Sequence, residues 1–289
     1  MEWTQQKTVT IANLARNAAS APVAPKSRVN LDGTDSPLAH SLPPQSRLVA
    51  PTDQLPDMLP MLSIIIPVAN EQEAIGKSLA ALQPLRQHGV EVIVVDGGST
   101  DTTLALARPL ADLTFSAPLG RASQMNAGAR RAQGDCLLFL HSDTELPEQA
   151  AEQISAALSH GERIWGRFDV RFDSPLRILG LVAFMMNWRS RWTGIATGDQ
   201  AMFVQRQAFE RVGGFPEIAL MEDIALSKLL KRLSRPVCLR ARVTTSGRRW
   251  EENGALRTIL LMWRLRAAFF MNADPSRLAE RYRHARKHG

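Results

Sequence analysis

An open α/β sheet, parallel in its first half and mixed in its second, is predicted by three observations. Nearly continuous apolar runs of strand length recur at SIIIPV, VIVVD and CLLFL, as in parallel strands buried on both faces. Segments of helical period separate these runs, so strand and helix alternate from residue 61 to 160, the order that builds a parallel sheet. After 160 the stretch RIWGRFDVRF alternates polar with apolar, in the manner of an antiparallel strand.

The first strand is expected from Met61 to Val68, and Ile75, Leu79 and Leu82 mark a helix that starts at Glu71. VEVIVVDGGSTDTTLALA supplies a second strand, a glycine turn and a second helix, with Ser99 as the expected N-cap. Asp112 to Ser116 reads as strand, Arg121 to Ala132 as helix and Asp135 to Leu140 as the fourth strand. Pro147 to His160 reads as a helix with proline in its first turn. In the second half, Arg163 to Phe172 is a strand and Leu176 to Trp188 a mainly apolar helix. QAMFVQ is a short strand, followed by a helix over RQAFERVGG with Gly213 or Gly214 at its C′ position. Asp223 to Leu233 is an amphipathic helix and Pro236 to Thr245 a strand. Leu256 to Met271 is a helix carrying Arg257, Arg264 and Arg266, and Asp274-Pro275 opens a last helix.

The 289 residues, 45% of them hydrophobic, suit one large domain with a substantial core. Residues 58–289 form that domain; residues 1–57, rich in Ala, Pro, Ser and Thr without periodicity, are expected to be disordered or weakly ordered. Cys136 lies inside an apolar strand and neither it nor Cys238 has a CxxC partner, so no disulfide framework is indicated. A reducing, cytoplasmic compartment fits. No apolar run approaches the roughly 18 to 20 residues needed to span a bilayer, and the N-terminus has no signal-peptide pattern. Charge is uneven: residues 61–160 carry a net −5 and residues 161–289 a net +12. Different ligands on the two halves are therefore expected, and the basic half suits phosphates or an anionic membrane surface. No nucleic-acid module is present, so nucleic acid is not an expected partner.

Ligands of open α/β sheets bind beyond the carboxyl ends of the strands. Strand one leads from Pro67 to Asn70 and Glu71, strand two ends at Asp96, and strand four ends at His141 and Asp143. Those loops should line one crevice. Asp96 precedes a glycine turn, where its carboxylate can accept from a base NH or a ribose OH; Gly97, Gly98 and Ser99 serve the turn itself. The first βα turn has no GxGxxG, so the dinucleotide fingerprint is missing.

SIIIPVANE, VVDGGSTD, GRASQMNAGA, GDCLLFLHSDTELP, GDQAMFV, GGFPE, MED and SGRRW occur in that order over about residues 61–275. Each is weak alone, but as a set they resemble the family 2 glycosyltransferases of the GT-A fold. In particular the chain resembles a small bacterial subgroup with FLHxDT in place of the usual aspartate pair and a late SxRRW. The resemblance implies a nucleoside-diphosphate sugar donor, a divalent cation (Mg²⁺ or Mn²⁺) and hexosyl transfer with inversion to an acceptor hydroxyl. It implies a donor nucleotide half at 58–160 and an acceptor half at 161–289.

By the same resemblance, Pro67, Asn70 and Glu71 line the nucleotide pocket, Asp96 recognises the base, and Arg121 and Asn126 line the nucleotide site. Asp143 matches the last aspartate of the metal-binding DxD. Asp223 matches the proposed general base, with Glu222 beside it. Arg248, Arg249 and Trp250 resemble a signature near the diphosphate or acceptor. His141 departs from the pattern, which has a carboxylate there. Three readings stay open for it: a phosphate or ribose contact, direct ligation of the metal, or a bond to nearby backbone. Asp199 and Gln200 border the acceptor side or merely form a turn.

The physics suits these roles. Negative charge grows on the leaving diphosphate, where a cation and arginines stabilise it, and a carboxylate in reach of the acceptor takes its proton. The apolar helix at 176–188 and the basic, apolar one at 256–271 either cover the sheet or lie against a membrane surface. The second case would suit a lipid-linked acceptor at the inner face of the membrane. Two rivals remain at this level: a sugar nucleotidyltransferase, and a non-catalytic sugar-nucleotide-binding or membrane-associated protein.

Overall fold

A computed structural model of the chain describes residues 61–159 and 161–287. The expectation for residues 1–57 lies outside the described residues. Eight strands form one sheet in the order β3-β2-β1-β4-β7-β6-β8-β5. They are β1 (Leu62–Val68), β2 (Glu91–Asp96), β3 (Leu113–Ser116), β4 (Cys136–Phe139), β5 (Thr144–Glu145), β6 (Trp165–Asp173), β7 (Met202–Gln205) and β8 (Val237–Ser246). β1 pairs in parallel with β2 and β4, and β2 with β3. β7 runs antiparallel to both β4 and β6, β8 is parallel to β6, and β5 is antiparallel to β8. All strands but β5 and β7 thus point the same way. Their carboxyl ends share one edge, and the order reverses between β1 and β4, where ligands of such sheets bind.

The apolar runs split between two faces because side chains alternate along a strand. Ile64, Ile66, Val92, Val94 and Leu138 pack on one face, with α1 (Ile75–Ala81), α3 (Thr103–Ala107) and α5 (Ala150–Leu158). Ile65, Ile93, Val95, Leu137 and Phe139 pack on the other, with α4 (Arg121–Arg131), α7 (Arg206–Arg211) and α8 (Glu222–Leu230). The short α2 (Gln83–Gln87) continues from α1.

α6 (Arg177–Thr193) outruns the expected end at Trp188 and stops at Gly194, whose φ of 67° is the left-handed conformation glycine adopts without penalty. Asn187 fastens α6 to β6, accepting from the Val170 amide at 2.9 Å and donating to its carbonyl at 3.0 Å. A third cluster joins Ile195, Met221 and Ile224 to Leu265 of α10 (Ala255–Phe270) and Leu278 of α11 (Pro275–Lys287). SGRRW runs from the last residue of β8 into α9 (Arg248–Asn253). β6 accepts β8 as a parallel neighbour as well as β7 as an antiparallel one, so its alternation reflected both kinds of pairing.

Candidate active site

The first two βα loops interlock at the carboxyl edge. Asn70, at φ 55°, accepts from the Thr100 amide at 2.9 Å and donates its own amide to the Ser99 hydroxyl at 2.9 Å. The Glu71 amide donates to the Thr103 hydroxyl at 2.8 Å. Asp96 is 1% exposed and turns back into its own loop, accepting from the Gly98 amide at 2.9 Å, the Ser99 amide and the Ser99 hydroxyl. Ser99 is therefore not the N-cap expected of it. α3 begins after Thr102 with no side-chain cap, because the Ser99 hydroxyl is held by Asp96 and Asn70. Gln124, unnoticed in the sequence, donates to the carbonyls of Val68 and Val95, both at 2.8 Å. It ties the carboxyl ends of β1 and β2 together from α4.

The fourth loop crosses this edge. β4 ends at Phe139, so His141 and Asp143 do not share a face through strand alternation. They share it through a turn in which the Thr144 amide donates to the His141 carbonyl at 3.1 Å. Thr144 then pairs with Thr245 of β8, and the Ser246 amide donates to the Asp143 carbonyl at 3.2 Å. Four residues, Leu140 to Asp143, thus carry the chain from the middle of the sheet to its far edge.

Two further loops close on that crossing. Gly198-Asp199-Gln200 forms a 3-10 turn with a capping box between Thr197 and Gln200. Gln200 is fully buried and its amide nitrogen donates to the Asn187 side chain at 3.3 Å. Asp199 lies 3.5 Å from His141 Nδ1. The Gly198 amide donates to Asp223 at 2.8 Å. Glu222 is buried, with Arg121 Nη1 at 3.9 Å. Burial first, then the Asp223 carboxylate, push Glu222 above the usual carboxylate range, against the pull of Arg121 and His141. Burial also works against the charge on Arg121, but Glu222, Tyr282, Asp199 and Asp223 outweigh it and hold the guanidinium protonated. Among the described residues, the non-glycine positions with positive φ are Asn70, Ala201, Met221 and Asn272. The first three flank these loops, and strained backbone of this kind collects where function over-determines it.

Gly198 is required by contact. A Cβ there would stand 2.5 Å from His141 Nε2 and 2.6 Å from Cε1. The imidazole cannot retreat without leaving Asp199. Gly198→Ala is therefore expected to lower turnover about 100-fold, the scale of an ångström-sized misplacement in a positioned site, and to destabilise by about 1–3 kcal/mol. Steady-state kinetics with a thermal melt checks it; wild-type turnover would show that the His141–Asp199 arrangement is irrelevant.

A cavity of about 690 Å³ opens at this edge. Pro67, Glu71, Arg121, His141, Asp143 and Asp199 line its polar end. α6, α9 and α10 supply an apolar end, which includes Trp250, packed edge-to-face on Phe172 at 5.5 Å between ring centroids. Arg189 of α6 and Arg266 of α10, neither of them a sequence candidate, also line it. Other candidates stand apart from the cavity wall. Asn126 spends its side chain on the backbone of Phe215, at 2.9 Å in both directions. Arg248 turns to Glu73 at 2.5 Å; Asp96, Gln200 and Glu222 are buried beside the cavity, and Asp223 is half-buried next to Glu222. The backbone of Arg249 is in α9; its side chain lies outside the described residues.

The family model described as glycosyl transferase family 2 matches residues 63–213. The probable glycosyltransferase YdaM of Bacillus subtilis (strain 168) is 25% identical over 193 residues, 58% of this chain and 46% of that protein. The validoxylamine A glucosyltransferase of Streptomyces hygroscopicus subsp. limoneus is 33% identical over 123 residues, 39% of this chain and 27% of its own. The bactoprenol glucosyl transferase of Shigella phage SfV is 32% identical over 96 residues, 30% and 31% of the two chains. The chain thus spans less than half the length of these relatives. Among solved structures, S. aureus TarS 1-349 superposes with a TM-score of 0.52 at 20% identity, covering 65% of this chain and 60% of that one. That likeness concerns the fold, and the fold is the GT-A arrangement expected from the sequence.

Proposed function

Since the chain belongs to glycosyl transferase family 2, we propose that it moves a hexosyl group from a nucleoside-diphosphate sugar to an acceptor hydroxyl, with inversion at the anomeric carbon. The observation that carries this reading is the cavity at the β1–β4 switch. One end holds carboxylates and an imidazole on three converging loops and a guanidinium at the start of α4; the other is apolar. A polar donor and an amphipathic acceptor fit its two ends.

The donor occupies the polar end. Pro67 and Glu71 line it, while Asn70, Asp96 and Asn126 shape it from behind through the loops they lock. Arg121 faces the diphosphate and offsets the charge that grows there as the glycosidic bond breaks. Asp143 is the ligand for a divalent cation. Among the described residues no three His, Cys, Asp or Glu side chains converge on one point. The residues present fit a cation that shares one carboxylate with diphosphate oxygens and water, as Mg²⁺ and Mn²⁺ do. Such an ion, when bound, supplies charge stabilisation to the leaving group. His141, hydrogen-bonding distance aside, is oriented by Asp199 and takes a phosphate or ribose oxygen.

The acceptor enters from the apolar end, past Trp250, with Arg248 and Arg249 on the helix that frames it. Asp199 and Gln200 hold the loop between the two substrates. Asp223 is the base for the acceptor proton: Glu222 is driven toward its neutral form beside it, and the Gly198 amide fixes the Asp223 carboxylate by donating to it. Bactoprenol is a lipid, and the phage relative's name makes a lipid-linked acceptor a natural choice. Among the described residues no helix is long and apolar enough to cross a membrane.

Incubation with nucleoside-diphosphate sugars and Mg²⁺ or Mn²⁺ tests the reading. Release of nucleoside diphosphate and an inverted anomeric configuration by NMR are expected. Pyrophosphate release would identify a nucleotidyltransferase instead. Nucleotide binding without hydrolysis or transfer would identify a non-catalytic binder. Asp223→Asn is expected to lower kcat about 100-fold with nucleotide affinity kept; an unchanged kcat would remove Asp223 as the base.

A further inference from the structure

Resting on the reading of the apolar end as the acceptor side, we propose that it binds a lipid carrying a phosphate headgroup, the hydrocarbon chain on α6 and α10 and the phosphate on Arg189 and Arg266. Nε and Nη2 of Arg189 and Nε of Arg266 are buried without a hydrogen-bond partner among the described residues. Buried polar groups are almost always partnered, and an unpaired buried charge is costly. Arg167, the fully buried arginine of the same region, shows the usual solution. It donates to Ser190, Phe168, Asn187 and Asp169. Arg189 and Arg266 have no such set, yet both line the cavity.

The two guanidiniums also oppose each other. Burial first and Arg266 second push Arg189 down to about 10, with Arg167 adding to that and Asp223 pulling the other way. An anion with several acceptor oxygens, placed between them, would satisfy the orphaned donors and cancel the repulsion. A phosphate meets that description.

The walls identify what the phosphate is attached to. Leu181, Met185, Trp188 and Trp192 of α6 face the cavity with Leu256 and Trp263 of α10. They remain open to solvent: Leu181 is 61% exposed, Trp192 73% and Trp263 62%. An apolar surface of this extent beside a concave site marks a ligand or membrane contact. A water-soluble phosphate would leave these rings and aliphatic chains uncovered. A long-chain lipid phosphate covers them while its headgroup reaches the arginines.

Calorimetric titration of the full chain with three probes below their micelle concentrations tests this. They are decyl phosphate, the uncharged decyl maltoside and inorganic phosphate. Decyl phosphate is expected to bind at least about tenfold tighter than either of the others, since charge-assisted hydrogen bonds add to burial. Arg189→Gln and Arg266→Gln should each abolish that preference and keep the affinity for decyl maltoside. Arg264→Gln, exposed on the same helix, should leave it intact. A second measurement covers the folding of the variants. Arg189→Met is expected to melt above wild type without ligand, because it removes an unpaired buried charge, and to lose the stabilisation that decyl phosphate gives wild type. Equal affinity for decyl phosphate and decyl maltoside would overturn the proposal in favour of the apolar face alone. Equal affinity for inorganic phosphate would overturn it in favour of a free anion. Titration with UDP and GDP separates this from the donor reading. If no nucleotide binds while decyl phosphate keeps its preference, the donor reading fails and the lipid site stands. Nucleotide binding without that preference sinks the lipid site alone.

Discussion

Asp143→Asn is expected to lower sugar transfer by about 100- to 1000-fold, the scale on which losing one preorganised electrostatic partner of transition-state charge is felt. The substitution keeps the shape of the side chain and removes its charge. The turn that presents it is held by backbone bonds, from Thr144 to His141 and from Ser246 to Asp143, so the melting temperature should stay at the wild-type value. The concentration of Mg²⁺ or Mn²⁺ needed for half-maximal rate should rise, because a carboxylate ligand becomes a neutral amide. His141→Ala is the contrast. With the imidazole on phosphate or ribose, it lowers the rate but leaves the metal titration unchanged. A shifted metal requirement in His141→Ala, or none in Asp143→Asn, would reverse the two assignments.

Asp169→Ala destabilises the protein by about 3–5 kcal/mol, the usual result of stranding one side of a buried ion pair. That is a large part of the roughly 5–15 kcal/mol that holds a domain together. Asp169 on β6 accepts from the fully buried Arg167 and, at 2.7 Å, from Arg191 of α6. Removing it leaves Arg167 charged inside the sheet with only neutral partners. The double variant Arg167→Met, Asp169→Leu should lose much less, since the fully buried charge is gone and the half-exposed Arg191 that remains can turn to water. Urea denaturation of the three proteins measures the difference; equal losses in the single and double variants would show that packing, not charge, is at stake. The consequence reaches the candidate site, because the same contacts seat α6, and α6 carries the arginine and tryptophans at the apolar end of the cavity.

How much of this was legible in advance depended on the range of the interactions involved. The parallel strands were legible because burial on both faces leaves an uninterrupted apolar run, and the helices between them because one face of each must match it. The family motifs were legible because they are contiguous. β5 was not: two residues carry no period, and Thr144–Glu145 becomes strand only because Thr245 lies opposite. Ser99 looked like a helix cap because local chemistry allows it, but Asp96 and Asn70, three and 29 residues away, claim its hydroxyl.

The sequence by itself determined the α/β order, the family and the carboxyl-edge location of His141 and Asp143. Each follows from local pattern and strand polarity. Only the tertiary structure decided that those two residues reach one cavity through a turn, that Asp96, Asn126 and Gln200 hold loops in place beside it, and that Nε and Nη2 of Arg189 and Nε of Arg266 are buried without hydrogen-bond partners. An arginine on a helix reads as a solvated charge until its neighbours are known. Whether a polar group is satisfied depends on residues far along the chain, and no local pattern records it.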